Sequence, residues 1–237
     1  MRIITWNCNM AFRKKADRIL EYDPDILIVP ECENIDALKF PLSSKQPTDI
    51  IWQGDNPHKG LGVFSYNGYK LKLLEIHRSK FKTILPIAVT EGAIDFILFA
   101  VWANNPLDKP NQYIGQVWKA MRSYKKFISK EKTILAGDFN SNSIWDKPHR
   151  IGNHSEVVKV LGAKKIRSVY HHHFQQIQGK EEHPTFHLYR HLDKPYHLDY
   201  CFASDDLLGK LREVEIGAHE HWNMHSDHLP LIVDFDL

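Results

Sequence analysis

Cysteine is scarce in this chain. Cys8, Cys32 and Cys201 are the only three in 237 residues, and no two form a CxxC pair, which argues against a structural zinc site. Their odd number, each in or beside an apolar run, reads as buried free thiols in a reducing compartment. Long hydrophobic runs are missing as well. The longest, Phe96 to Ala103, falls far short of the roughly 20 residues of a membrane-spanning helix. Met1-Arg-Ile-Ile-Thr-Trp6 is too short in apolar length for a signal peptide, so a cytoplasmic protein without membrane association is expected. Charge of one sign is also lacking. The net charge of +2 is far from the balance of a dedicated nucleic-acid binder, yet it leaves room for a local polyanion groove. With no Gly/Ser or Pro-rich linker, low-complexity tract or repeat, residues 1–237 are expected to form one domain.

What is present is a core-forming pattern, 43% apolar and 25% charged, in which buried strands alternate with a few helices. Arg2 to Cys8 reads as a strand, Ala16, Ile19 and Leu20 carry helical spacing up to Asp23-Pro24, and Asp25 to Pro30 is a second buried strand. Strand, helix, strand predicts a crossover unit at the start. Further strands are expected at Asp49 to Gln53, Leu61 to Tyr66, Tyr69 to Ile76, Leu85 to Thr90 and Ile94 to Trp102, with Asn67-Gly68 as a hairpin signal. Gln112 to Ile128 has the spacing of a long amphipathic helix, and Phe127 and Ile128 are on its apolar side. After the Thr133 to Ala136 strand, Ser155 to Leu161 is expected to be helical. His171-His172-His173 reads as a polar surface strand or loop. Phe186 to Tyr189, Tyr196 to Ala203, Arg212 to Ile216 and Leu229 to Phe235 complete an α/β pattern.

Polar residues stand at the ends of these apolar runs. After Thr133 to Ala136, Gly137 lets the backbone turn, and Asp138 and Asn140 follow at strand spacing, so both side chains can leave on one face. Asx-turn formation is the plain alternative. Asn7 and Glu31 end the first two strands, where each could equally be a turn or capping residue. Asp199 interrupts an apolar strand and needs a partner there. Asp227 and His228 precede Leu229-Pro-Leu-Ile-Val233. Oxygen donors with few cysteines suit a hard ion such as Mg²⁺, with Mn²⁺ as a substitute. The chemistry these groups imply is attack of water on phosphorus, assisted by metal, with Asp as base and Asn and His orienting the phosphoryl oxygens.

Trp6-Asn-Cys-Asn9, Pro30-Glu31, Gly137-Asp-Phe-Asn140, Leu198-Asp-Tyr200 and Ser226-Asp-His228, in this order, resemble the endonuclease/exonuclease/phosphatase superfamily, which includes exonuclease III, abasic-site endonucleases and DNase I. The resemblance implies a four-layer α/β sandwich, two packed mixed β-sheets flanked by helices, with the active site at one sheet edge. By the same resemblance Glu31 is the principal metal ligand, with Asn7 and Asp227 near the ion. Asp138 activates water, Asn140 orients it, and His228 contacts phosphate while Asp199 holds its ring. One position departs. Where many relatives carry His or Tyr, Trp102 stands in Ala100-Val-Trp-Ala-Asn-Asn105, and indole offers only an N–H donor; Trp102 is then either a substrate contact or core. Asn104 remains available for phosphate. His149 and Arg150, after the Asp138 strand, and His183-Pro-Thr-Phe-His187, before the Asp199 strand, are candidate substrate contacts.

Three functions follow. The first is a Mg²⁺-dependent phosphodiesterase of the nuclease type, acting on DNA or RNA. The second is a phosphatase or phosphodiesterase for a lipid, an inositol phosphate or a small nucleotide. The third, resting on Trp102 alone, is a binding pseudoenzyme; clustered carboxylates without a metal cost stability and argue against it.

Overall fold

The alternation along Ile94–Trp102 decides the layering. Phe96, Leu98, Ala100 and Trp102 point to one side of the strand, and Ile97, Phe99 and Val101 to the other, and both sets are buried. A strand buried on both faces needs a layer on each side. The computed structural model describes residues 1–38, 44–105, 112–128 and 132–237. Its first sheet is built from β1 (Arg2–Thr5), β2 (Ile26–Cys32), β3 (Asp49–Asn56) and β4 (Lys59–Ser65). The second takes β5 (Lys70–Leu73), β6 (Ile84–Glu91), β7 (Ile94–Trp102), β8 (Thr133–Asp138) and β9 (Ile166–Ser168). A small hairpin, β10 (Phe186–His187) and β11 (Pro195–Tyr196), precedes β12 (Asp199–Ser204), which joins the second sheet. Finally β13 (Leu211–Ile216) and β14 (Leu231–Phe235) return to the first.

Each large sheet has six strands, ordered β13-β14-β1-β2-β4-β3 and β5-β6-β7-β8-β12-β9. Both are mixed: β1 runs parallel to β2 and β7 parallel to β8, and the other pairs are antiparallel. Ile3, Ile28, Val63 and Leu231 of the first sheet meet Leu85, Leu98, Ala136 and Cys201 of the second in the central core. Outside the second sheet, α2 (Ile114–Ser123) and α3 (His154–Gly162) cover Phe99, Leu135 and Phe202. Outside the first, α1 (Ala16–Leu20) packs with Phe12 and Trp222 over Ile4, Trp6 and Val29. This is the four-layer sandwich.

Three local expectations need correction. Asn67 and Gly68 do form a tight turn, both at positive φ and closed by Tyr69 N–H to the Tyr66 carbonyl at 3.1 Å. The strands they join, β4 and β5, lie in different sheets, so the turn is a crossing and not a hairpin. The predicted helix over 112–128 is regular only across Ile114–Ser123; Phe127 lies beyond it and is 40% exposed. His171–His173 lie on a short helix, α4 (Val169–Phe174), capped by Ser168, not on a strand or loop. Trp102, for which core packing and substrate contact were both open, is 6% exposed and belongs to the central core. All three cysteines are buried and free, as expected.

Gly137 is the position where β8 approaches its neighbour most tightly. Its φ is +145°, and a Cβ there would sit 1.8 Å from the Val101 carbonyl oxygen of β7. No side-chain rotation relieves a backbone clash. Gly137→Ala is therefore expected to destabilise the fold by about 3 kcal/mol or more, measured as the shift in denaturant midpoint. A variant within about 0.5 kcal/mol of the parent would show that β7 and β8 separate freely here.

Candidate active site

The pairing of β8 with β12 sets Asp138 directly opposite Asp199. Both are fully buried. Two facing carboxylates without solvent repel strongly unless a cation or N–H donors compensate them. His228, just before β14 in the other sheet, supplies the cation: its Nδ1 lies 2.8 Å from Asp199 Oδ2. Burial alone would push the imidazolium down, but the Asp199 and Asp138 charges outweigh it and hold its pKa up at about 10. Asp138 is stabilised differently. Its Oδ1 accepts from the Asn140 backbone N–H at 2.8 Å, and its Oδ2 accepts from Asn140 Nδ2 and Asn7 Nδ2, each at 2.9 Å. Burial still pushes its pKa up, the His228 charge pulls it back, and the balance stands at about 7. An acid poised there can take a proton near neutral pH. Asp199 Oδ1 is buried without a partner, so His228 carries most of its compensation.

Two loops bring the first sheet to this cluster. Asn7 Oδ1 accepts from Asn9 N–H at 3.0 Å, and Asn9 Nδ2 donates to Asp227 Oδ1 at 3.0 Å. Ser226 Oγ donates to the Asn7 carbonyl at 2.7 Å and accepts from His228 N–H at 3.0 Å. The Trp6 indole N–H donates to the His228 carbonyl at 3.0 Å. Asp138, Asn7, Asn9 and Asp227 thus form one chain of hydrogen bonds. The Asn7 loop also lies against the Glu31 end of β2 through Cys8 N–H to the Pro30 carbonyl at 3.1 Å.

Glu31 sits in a β-bulge, where the register of β2 against β4 slips between Pro30 and Cys32, and its φ is +61°. A non-glycine residue in that region stores about 1–3 kcal/mol and is held by its surroundings, which is typical of functional strain. Its carboxylate pairs with Lys59 Nζ at 3.1 Å, so this position already holds a cation. Glu33, two residues on, does the capping: it is 1% exposed and accepts from Phe12 and Arg13 N–H at 2.6 and 3.1 Å. The donor chemistry suits a hard divalent ion. Glu31, Asn7 and Asp227 offer oxygens, whereas burial pushes the nearby Cys8 and Cys32 thiols far up and keeps sulfur out of the ligand set. Asp138, Asp199 and His228 also bring donor atoms within 4.8 Å of one another. There, however, the imidazolium already supplies the positive charge.

Beside the cluster opens a cleft of about 360 Å³ lined by Asn140, Tyr113, Trp145, Lys147, Arg150 and Phe186. The Phe186 ring packs on the His228 ring with centroids 4.6 Å apart. Of the expected substrate contacts, Arg150 lines this cleft, whereas His149 is exposed on the same loop and does not. The Asn104 Oδ1 accepts from Gln116 Nε2 at 2.9 Å, and its own amide N–H groups have no partner among the described residues. Trp102 is flanked by Lys59, whose Nζ stands 5.6 Å over the indole ring. Sequence reasoning did not single out Lys59, and a lysine opening a strand carries no signal. Thr185 was named only within its motif; its Oγ1 receives the backbone N–H groups of Leu198 and Asp199 at 2.9 and 3.0 Å. In the basic run Arg13-Lys14-Lys15, Arg13 pairs with Glu33, and Lys15 Nζ donates to the Cys8 carbonyl at 2.6 Å.

The model of the Endonuclease/Exonuclease/phosphatase family matches residues 4–228. The chain belongs to this family. With membership comes its class of enzyme, a hydrolytic phosphoesterase. No curated protein matches the chain significantly. Among solved structures, a 3′ phosphatase, NExo, from Neisseria bound to a product DNA hairpin is 20% identical, with 100% of both chains covered and a TM-score of 0.71. An AP endonuclease from Archaeoglobus fulgidus is 18% identical, again over 100% of both chains, with a TM-score of 0.70. The AP endonuclease LMAP from Leishmania major is 14% identical over 98% of this chain and 86% of its own, with a TM-score of 0.70. At such identities the likeness carries the fold.

In this member of the family the His228 charge is predicted to depend on Asp199. A ring with a pKa near 10 when folded and 6.5 when unfolded adds stability that is complete below about pH 6.5 and lost as pH rises through 10. In Asp199→Asn, burial opposes the charge, and Asp138 with the weaker contribution of Asp227 is left to hold it. The imidazole NMR shift should then titrate near or below 6.5, whereas the parent ring stays charged past about pH 8. Titration of the variant above about pH 9 would mean that Asp199 does not hold the proton.

Proposed function

We propose that this protein is a Mg²⁺-dependent phosphodiesterase acting on DNA or RNA. The observation that carries the reading is the buried Asp138–His228–Asp199 cluster, opening beside a cleft that combines Tyr113, Trp145 and Phe186 with Lys147 and Arg150. Aromatic rings with interleaved cations suit bases and phosphates together. The DNA hairpin bound by the Neisseria 3′ phosphatase supports a nucleic-acid substrate for this fold.

In this mechanism a water attacks phosphorus and gives its proton to Asp138, while the ester P–O bond to the leaving oxygen breaks. Asn140 and Asn7 hold the Asp138 carboxylate through N–H donors, so it faces the water in one orientation. The His228 imidazolium, kept charged by Asp199, donates to a phosphoryl oxygen as negative charge grows there. Glu31, Asn7 and Asp227 would hold the ion, which when bound would supply Lewis-acid polarisation of the phosphoryl group. The indole of Trp102 has no acid to give, so the leaving oxygen is helped by the ion, a water or another residue.

The test is a substrate panel with Mg²⁺ or Mn²⁺: abasic duplex, plasmid, single-stranded DNA, RNA, inositol phosphates and a bis-aryl phosphodiester. Cleavage of a nucleic acid with Mg²⁺ is expected. Turnover confined to inositol phosphates would favour the small-substrate reading, and no turnover at all the pseudoenzyme. Asp138→Asn, which keeps volume but cannot accept the proton, should lose about 10²–10⁴ in kcat. Glu31→Gln should weaken Mg²⁺ binding by calorimetry; an unchanged affinity would remove Glu31 from the ion site.

A further inference from the structure

A second concavity, larger than the cleft beside the cluster, lies on the outer face of α2. It measures about 980 Å³ and is lined by Lys80, Lys119, Arg122, Arg150, Trp118 and Phe81, among others. This volume is at the upper end of the roughly 300–1,000 Å³ of small-ligand pockets. Its lining includes four cations and no carboxylate. In a chain with net charge +2, that is a strong local concentration of positive charge. Lys80, Arg122 and Arg150 form no ion pair among the described residues. The floor is aromatic. Trp118 holds the Arg122 guanidinium at 5.7 Å from its ring, and Lys80 Nζ stands 4.9 Å over Phe81. Both heads are thereby aligned without being neutralised.

The groove adjoins the cleft through one shared residue. Arg150 lines both, and its loop is pressed onto α2 at Gly152. Gly152 has φ +83°, and a Cβ there would meet Trp118 Cδ1 at 2.8 Å. The loop leaving the Asp138 strand therefore fixes the groove relative to the cluster. We propose that this groove binds the strand flanking the scissile phosphate, as a second, sequence-independent site for single-stranded nucleic acid. The proposal rests on the nucleic-acid reading above. Its ligand is a polyanion longer than the cleft itself can hold, tracked by Lys80, Lys119 and Arg122 with Arg150 as the junction.

The experiment is the binding of fluorescent single-stranded oligonucleotides of increasing length, over a salt series, to the parent, Lys80→Ala/Arg122→Ala and Lys80→Glu/Arg122→Glu. Thermal melts confirm folding; both side chains are exposed, so little stability is at stake. The parent should bind long strands more tightly than short ones. The alanine pair should lose that advantage, and its salt slope for long strands should fall by about 1.4, two contacts at about 0.7 each. The glutamate pair should fall further. Unchanged length dependence and salt slope in both pairs would overturn the groove. So would binding of vesicles containing anionic lipid, lost in the same variants, without a matching loss of oligonucleotide binding. The two readings separate cleanly. Nucleic-acid cleavage with variant-insensitive binding sinks the groove alone, whereas variant-sensitive binding without cleavage of any nucleic acid sinks the activity alone.

Discussion

The structure depends on one electrostatic problem, two carboxylates facing each other in the dry interior. Asp138 and Asp199 are register partners on adjacent strands, both without solvent exposure. The nearest remedy within the second sheet, the Asn140 amide, reaches only Asp138. The rest comes from the other sheet, as the His228 ring on Asp199 and the Asn7 amide on Asp138. These two acids therefore tie the two sheets together at this end. Removing one partner of such a buried set costs about 3–5 kcal/mol, because an uncompensated charge stays behind.

This dependence explains the surrounding architecture. His228 can serve both acids only if its backbone is fixed, and the Trp6 indole, the Ser226 hydroxyl and the bridge to Phe186 fix it. Asp199 is held through its backbone by Thr185. Glu31 stands outside the buried Asp138–Asp199–His228 group, in a strained bulge and beside Lys59. The division is physical: the fully buried acids are compensated by nitrogen donors, whereas the half-buried Glu31 carboxylate is compensated by the Lys59 ammonium.

Much of this was legible in the residues. The apolar runs marked the strands, and the polar residues that end them marked the site, because a carboxylate at the mouth of a buried strand needs a partner. What stayed hidden depended on long-range pairing. Asn67-Gly68 fixes a backbone turn, but not whether the next strand pairs with the last, and here it does not. Glu31 and Glu33, two apart, would share a face on a regular strand; the bulge at Glu31 sends them to different tasks, and a bulge leaves no periodic signal. Lys59 reaches Glu31 only because β4 pairs with β2. The run His171–His173 has no periodicity to separate helix from loop, and Ser168 as its cap was the available clue. Trp102 was ambiguous because one residue type serves both core and surface sites, and its burial became visible only in the fold.

The central claim is that Asp199 and His228 act as one unit. Its most direct test is a double-mutant cycle in kcat/KM on the best substrate, using Asp199→Asn and His228→Gln to keep volume, with melts to confirm folding. If the pair is a unit, each single variant loses about 10²–10⁴ in rate and the double loses less than about tenfold more. Losses that multiply would contradict the account, because they would mean that each residue contributes without the other.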